Sequence, residues 1–380
     1  MNFYIITNRL YNFENKRFNL GGVETYIQGL YSLIEEKGHF AKIIQMCDCE
    51  KEFEVTYNGF NVLIIPFKKS IFKSLNQITF DSIHDRFKDS DSYFIISTDQ
   101  QDICSDDNHV IQIQHGIAFD VPGDYLPGFW RKNSFLQHFN KLLKCIKNIR
   151  RLYHAKNTVC VDYNFYNWFR TLGTIYSGYN IKVIPNYSSS FISDQALSLK
   201  LNSTDSKIRI VFARRFFDYR GTLIMIEASR EILKRFKDIE IVFAGDGPLK
   251  SNIEENFKND NRVAITTFSP EDSVQFHKKF DIAVVPTIYS EGTSLSLCEA
   301  MSAGCVPIAT HVGGMSNMIL NNYNGFLIQP TLDALKQKLI DVILMSKADR
   351  NVIAKNAYDT ALCSFSVDRW NKEWADFLNL

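Results

Sequence analysis

The 380-residue chain has almost no net charge, no paired cysteine motif and no long apolar run, and each lack closes off a class of function. A formal charge of +1 argues against a surface given over wholly to nucleic acid, which leaves a strong basic excess. The eight cysteines (Cys47, Cys49, Cys104, Cys145, Cys160, Cys298, Cys305 and Cys363) are scattered without a C-x-x-C, so a reduced, cytoplasmic compartment is expected. Cys47 and Cys49 have no second cysteine or histidine pair nearby, which argues against zinc. The start Met1-Asn2-Phe3-Tyr4-Ile5-Ile6-Thr7 lacks the basic opening and apolar core of a signal peptide and reads as a first buried strand. No apolar run approaches the ~20 residues of a spanning helix, so any membrane contact is expected to be peripheral.

What the chain does have is rhythm. Its length, with 45% apolar and 22% charged residues, favours two or three domains. Short β-rich runs alternate with helical patterns: Phe3–Thr7, a helix near Val23–Glu36, Ala41–Met46, Val62–Pro66, Tyr93–Ser97 and Val110–Gln114. A long helix near Phe135–Tyr153, Thr158–Asp162, a helix near Phe165–Leu172 and Ile181–Ile184 follow. The pattern restarts at Ile208–Ala213 and runs through Ile239–Ala244, Val263–Phe268, Ile282–Pro286 and Val306–Thr310. Alternation of this kind predicts an α/β protein of two doubly wound parallel sheets, with ligands at the carboxyl ends of the strands in a cleft between them. The Ser-, Asn- and Asp-rich segment 188–207 is read as the boundary, giving domains 1–190 and 205–365. A C-terminal helix over 366–380, with Trp370, Trp374 and Phe377 at helical spacing, is expected to return to the first.

The most informative stretch runs from Ser290 to Pro307. Glu291 and Glu299 stand eight residues apart, one before a helix and one inside it. Gly292 permits close backbone approach, Thr293 or Ser294 suits a cap, and Leu295, Cys298 and Met301 share an apolar face. The free amides at such a helix start attract phosphate. Arg215 and Arg220 follow the strand Ile208–Ala213 and offer charge to a diphosphate, although a basic solvated loop has the same composition. Gly245-Asp246-Gly247-Pro248 is a turn after the next strand; near a nucleotide it would let the backbone lie close to ribose or base. His311-Val312-Gly313-Gly314 and Asn324-Gly325 read as structural turns. In the first half, Gly21-Gly22 before a helix suits either a plain loop or an approach to a sugar. His115 ends the strand Val110–Gln114, where a catalytic or sugar-binding group is expected.

Taken in order, Gly21-Gly22, His115-Gly116, Ile184-Pro185-Asn186, Arg215 with Arg220-Gly221, Gly245-Asp246-Gly247-Pro248, Glu291-x7-Glu299 and Gly313-Gly314 resemble the retaining glycosyltransferases of family 4, which have the GT-B fold. The likeness runs through nearly the whole chain. It implies that Glu299 binds the ribose hydroxyls and Glu291 the donor sugar. Arg215 and Arg220 hold the departing diphosphate, helped by the amides of Thr293, Ser294 and Leu295. His115 contacts the sugar, and Gly22 lies beneath the phosphates and acceptor. Arg220 stands where that family usually has Lys, Arg214 where Gly is common, and Tyr187 where Gly is frequent.

The implied reaction moves a hexose or N-acetylhexosamine from a nucleotide-diphosphate sugar, UDP by preference, to a glycan hydroxyl with retention. No cofactor or metal is expected to be required, because the two arginines can take the part of a divalent ion and no Asp-x-Asp triplet is expected to hold such an ion against the diphosphate. A bacterial-type surface glycan on a polyprenyl-diphosphate carrier is the favoured acceptor. A soluble acceptor, nucleotide-sugar epimerisation and a non-catalytic glycan binder are the alternatives.

One more absence bears on the carrier: between Tyr125 and Val161 there is no Asp or Glu. Arg131, Lys132, Lys141, Lys144, Lys147, Arg150, Arg151 and Lys156 all fall in this stretch. Phe135, Phe139, Leu142, Ile146, Ile149 and Tyr153 form a helical seam expected to pack inward, with Lys141, Lys144, Lys147 and Arg151 facing out. Such a face is either plain solvated surface or a contact with the anionic inner face of the plasma membrane. In the second case Phe129 and Trp130 would dip into the interface.

Overall fold

The structure is a computed structural model that describes residues 1–8, 10–12, 17–18, 21–47, 49–57, 59–66, 74–97, 103–116, 134–152, 156–172 and 180–380. The chain divides into two compact units, Met1–Ile184 with Asn371–Leu380, and Pro185–Trp370.

The first unit is built on a sheet in the spatial order Asn180–Val183, Asn157–Cys160, Val110–Gln114, Ser92–Ser97, Asn2–Thr7, Phe40–Cys47, Phe60–Pro66, Phe53–Tyr57. Every neighbouring pair is parallel except the last, where Phe53–Tyr57 runs antiparallel to Phe60–Pro66. Its central strands are near-continuous apolar runs because helices cover both faces: Ile5 pairs with Ile43 on one side and Ile95 on the other, and all three are fully buried. The strand Phe53–Tyr57 and the helix Leu75–Phe87 escaped the sequence pattern. The strand, with Glu54 and Thr56 between its apolar residues, edges the sheet, and the helix has low apolar contrast apart from Phe80 and Ile83, which reach the core. Asp162, two residues past the strand Asn157–Cys160, caps the next helix, Tyr163–Leu172, by accepting from the Phe165 amide at 3.0 Å. In the C-terminal helix Val367–Leu378, Trp374 is fully buried and its indole nitrogen donates to the Tyr26 hydroxyl at 2.9 Å.

The helix Ser134–Leu152 corrects one expectation. Phe139, Leu142, Leu143 and Ile146 are exposed, at 46%, 50%, 47% and 37%, so the apolar seam faces out rather than in. The buried residue is Cys145, packed with Cys160, Phe165 and Phe169, and Lys141, one turn before it, is half-buried. A small thiol admits the close approach of Tyr163–Leu172, and a lysine can lay its stem along such a contact with its ammonium in water. Phe129, Trp130 and Tyr153 lie outside the described residues, as do the side chains of Lys147, Ile149 and Arg151. Among the described residues no helix is long and apolar enough to cross a membrane.

The second unit carries an all-parallel sheet in the order Val263–Thr266, Ile239–Ala244, Ile208–Ala213, Ile282–Val285, Val306–Thr310, Phe326–Ile328. Its division from the first unit falls before the 188–207 segment rather than inside it. Ser193 accepts from the Ala196 amide at 3.2 Å and starts the helix Asp194–Leu201; Leu197 then packs in one cluster with Ala303, Cys305 and Tyr358. Ser and Asp are helix caps as well as linker residues, which is why composition alone mistakes this segment for a boundary.

Candidate functional site

The site in the second unit forms where two strands of its sheet end. After Ile208–Ala213 the chain turns through Arg214 to Gly221, and after Ile282–Val285 it turns through Pro286 to the helix Leu295–Ser302. Gly221, at φ +80°, opens the helix Thr222–Arg235, and a Cβ there would stand 2.0 Å from the Pro286 carbonyl oxygen, so only glycine lets the two loops meet. The Gly245-Asp246-Gly247 turn lies flat against the first loop, its Asp246 carbonyl accepting from the Phe216 amide at 2.8 Å. A Cβ on Gly245 would come within 2.0 Å of the Arg214 carbonyl oxygen. Packing beneath Arg214 thus accounts for that glycine.

Glu291 is the hub. Its Oε2 accepts from Arg214 Nη2 at 2.6 Å, from Thr287 Oγ1 at 3.2 Å and from Arg220 Nη1. Burial alone would raise the carboxyl's pKa, but the Arg214 and Arg220 guanidiniums hold it below its usual range. Arg214 also donates from Nη1 to Ser294 Oγ at 2.9 Å and to Ser296 Oγ at 3.0 Å. Ser294 occupies the N-cap position of Leu295–Ser302, yet its hydroxyl makes no capping bond. Arg215 is exposed, its guanidinium carbon 5.8 Å from the centre of the Phe217 ring. Gly292, Thr293 and Ser294 are buried and Leu295 half-buried; Thr293 Oγ1 accepts from the Asn186 amide at 2.7 Å, tying this turn to the Pro185-Asn186 segment. Glu299 lies one turn into the helix, where burial pushes its pKa up to about 7, opposed by Ser273 and Arg214. Two guanidiniums on a single carboxylate, the neighbouring Arg215 and an uncapped helix start leave an excess of positive potential, the right sign for a diphosphate.

Arg214 is the residue that sequence reasoning passed over as a mere departure from glycine. The available signal was its place directly after a buried strand: a cation that continues a buried run must have a partner acid, and Glu291 is there to supply it. Gly313 and Gly314 also do more than turn the chain. The Gly314 amide donates to the Glu291 carbonyl at 2.9 Å and supports the loop from behind.

In the first unit, His115 follows Val110–Gln114, with Nε2 at 2.7 Å from Ser97 Oγ and the Tyr26 ring edge-on at 5.3 Å. Burial pushes its pKa down to about 4, so at neutral pH it is an uncharged hydrogen-bonding group. Tyr26 comes from the helix Gly22–Glu36, whose start is the Gly21-Gly22 pair, and Tyr26 is the residue that Trp374 holds. Among the described residues no three His, Cys, Asp or Glu side chains gather to hold a metal ion. The triplet Asp89-Ser90-Asp91 sits before the strand Ser92–Ser97, at the opposite end from Ser97 and His115, and Asp89 accepts there from Ser92 Oγ at 2.7 Å.

Comparison with known proteins fits this geometry. Residues 194–360 match the family model described as glycosyl transferases group 1. The chain is 23% identical over 236 residues to the UDP-Gal:alpha-D-GlcNAc-diphosphoundecaprenol alpha-1,3-galactosyltransferase of Escherichia coli, covering 59% of this chain and 58% of that one. It is 25% identical over 379 residues to the phosphatidylinositol N-acetylglucosaminyltransferase GPI3 subunit of Saccharomyces cerevisiae, covering 94% and 78% respectively. The chain thus spans little more than half the length of the first of these relatives. Among solved structures, Anabaena Alr3699/HepE in complex with UDP superposes with a TM-score of 0.71 at 15% identity, covering 100% of both chains. Sucrose-phosphate synthase from Thermosynechococcus elongatus gives 0.72 at 12%, covering 100% of this chain and 98% of that one. The fold is that of GT-B glycosyltransferases, two Rossmann-like α/β units with parallel sheets, and the matches support a place in that superfamily.

Proposed function

We propose that this chain is a retaining glycosyltransferase of the family 4 type. It moves a hexose or N-acetylhexosamine from a UDP-sugar to a hydroxyl of a lipid-linked glycan. The observation that carries the reading is the convergence of Arg214, Arg220 and Glu291 on an uncapped helix start inside the segment that matches glycosyl transferases group 1. As the bond to the anomeric carbon breaks, charge grows on the departing diphosphate; Arg215, Arg220 and the amides of Ser294 and Leu295 stabilise it without a metal. Glu291 orients the sugar, Glu299 takes the ribose hydroxyls, and His115 contacts the sugar as a neutral donor. The leaving diphosphate accepts the acceptor's proton, so attack from its own face retains configuration. UDP and a polyprenyl carrier are favoured by the names of the relatives, two of which act on lipid-linked acceptors.

Thermal shifts with UDP, GDP and ADP should single out UDP, and proton NMR of the product should show the donor's anomeric configuration. Stabilisation by GDP or ADP alone would displace the nucleotide assignment, and an inverted linkage would remove the mechanism.

The same reading places the first unit at the anionic inner face of the plasma membrane. Its helix Ser134–Leu152 offers Phe139, Leu142, Leu143 and Ile146 on an exposed face, within a stretch of 37 residues that has no acidic side chain. Basic residues near such a surface contribute ~1 kcal/mol each. Replacing Lys141, Lys144, Lys147 and Arg151 by Gln should abolish pelleting with phosphatidylglycerol vesicles, and replacing Leu142 and Ile146 by Ser should weaken it at high salt. Pelleting unchanged by both sets would reject membrane contact and leave a soluble acceptor as the better choice.

A further inference from the structure

Arg214 is held in a way that a filler of a glycine position has no need to be. Its residue is 8% exposed, and its fork serves two groups at once: Nη2 meets Glu291 Oε2 at 2.6 Å, while Nη1 meets Ser294 Oγ and Ser296 Oγ at 2.9 and 3.0 Å. An N-cap serine ordinarily turns its hydroxyl to an amide two or three residues on. Ser294 gives that bond up, and its oxygen serves Arg214 instead. At the other end, all the hydrogen bonds to the Glu291 carboxylate among the described residues fall on Oε2. The second oxygen, Oε1, takes none of them. Arg214 therefore joins the start of a helix to one chosen oxygen of the hub carboxylate.

We propose that Arg214 is a positioning residue that braces Glu291 against the start of the helix Leu295–Ser302, fixing Oε2 so that Oε1 is presented to the donor sugar. This deepens the functional reading above and rests on it. Only a planar fork reaches both sides; a lysine is a point charge that can serve either the carboxylate or the serines. The brace acts through Glu291, so its removal should disturb the reacting centre more than nucleotide binding.

The test is a set of variants assayed for UDP-sugar turnover and UDP affinity. Arg214→Lys keeps the charge and loses the fork; kcat should fall by at least about tenfold, with the Kd for UDP within about threefold of wild type. Arg214→Ala should fall further, by about 100-fold in kcat. In a Glu291→Gln background Arg214→Lys should cost less than about threefold more, because the two residues act as one unit. Loss of kcat matched by loss of UDP affinity, additive effects with Glu291→Gln, or wild-type kcat in Arg214→Lys would each overturn the brace. Should either Arg214 variant fail to fold by its melting curve, the Ser294→Ala/Ser296→Ala double variant removes the other end of the brace and should show the same selective loss of kcat. A wild-type chain that turns over no nucleotide sugar overturns the functional reading and the brace with it; turnover with an indifferent Arg214 overturns the brace alone.

Discussion

Glu291→Gln should lower kcat by about 10² to 10³ while changing UDP affinity less than about threefold, and Glu299→Ala should do the reverse. The difference follows from where each carboxyl sits. Glu291 lies before the helix, bound through Oε2 by Arg214, Arg220 and Thr287 and held ionised by the two cations. Glutamine can keep one acceptor oxygen where Oε2 now serves both guanidiniums, but it puts an amide in place of Oε1, and the charge proposed to orient the sugar is lost. Glu299 lies a turn deeper, and burial raises its carboxyl to about 7, as suits a group that exchanges hydrogen bonds with neutral hydroxyls. Steady-state kinetics with a UDP-sugar, alongside calorimetric titration of UDP, separates the two. Equal losses of UDP affinity in both variants would contradict the division of roles. A lower melting temperature in Glu291→Gln is also expected, because two partly buried guanidiniums lose their counter-charge.

Which parts of this arrangement can be read without coordinates follows from how far apart in sequence their causes lie. The α/β class is local: runs such as Phe3-Tyr4-Ile5-Ile6 and Ile208–Ala213 are buried on both faces and look it. The helix start is local as well, since Gly292 to Ser294 precede the short apolar helix Leu295–Ser302. The fork of Arg214 is not. Its partners lie 77 to 82 residues away, and nothing in the Arg214-Arg215 pair tells which of two adjacent cations turns inward. Of the expected diphosphate pair, Arg220 is bound to Glu291 and Arg215 is exposed. The seam of Ser134–Leu152 failed for another reason. Periodicity finds that a helix has two faces, but burial depends on what its neighbours offer. Here Tyr163–Leu172 presents Phe165 and Phe169 to Cys145 and leaves Phe139, Leu142 and Ile146 outside.

The second large effect comes from a residue with no side chain. Gly313→Ala is expected to cut kcat by about 100-fold or more and to lower the melting temperature, even though position 313 carries no functional group. Gly313 has φ +53°, and a Cβ placed on it would stand 1.9 Å from the Glu291 carbonyl oxygen and 2.9 Å from its carbonyl carbon. Neither atom belongs to a flexible side chain, so backbone has to move. The moving backbone is that of Glu291, whose carbonyl the Gly314 amide fixes at 2.9 Å and whose carboxylate must stay within reach of Arg214 at 2.6 Å. A displacement of about 1 Å breaks that bond geometry, and misplacement of that size in an oriented site costs about 100-fold in rate. Backbone strain alone predicts far less. Gly38 has φ +78° and open space, with no atom within 4 Å of where a Cβ would stand, so Gly38→Ala isolates the left-handed penalty of about 1–2 kcal/mol and should leave kcat unchanged. If Gly313→Ala resembles Gly38→Ala, losing stability and keeping kcat, then the carbonyl of Glu291 tolerates the shift and its carboxylate is not held by the backbone behind it. If kcat falls only in Gly313→Ala, the turn at Gly313-Gly314 belongs to the donor site as much as the charged residues in front of it.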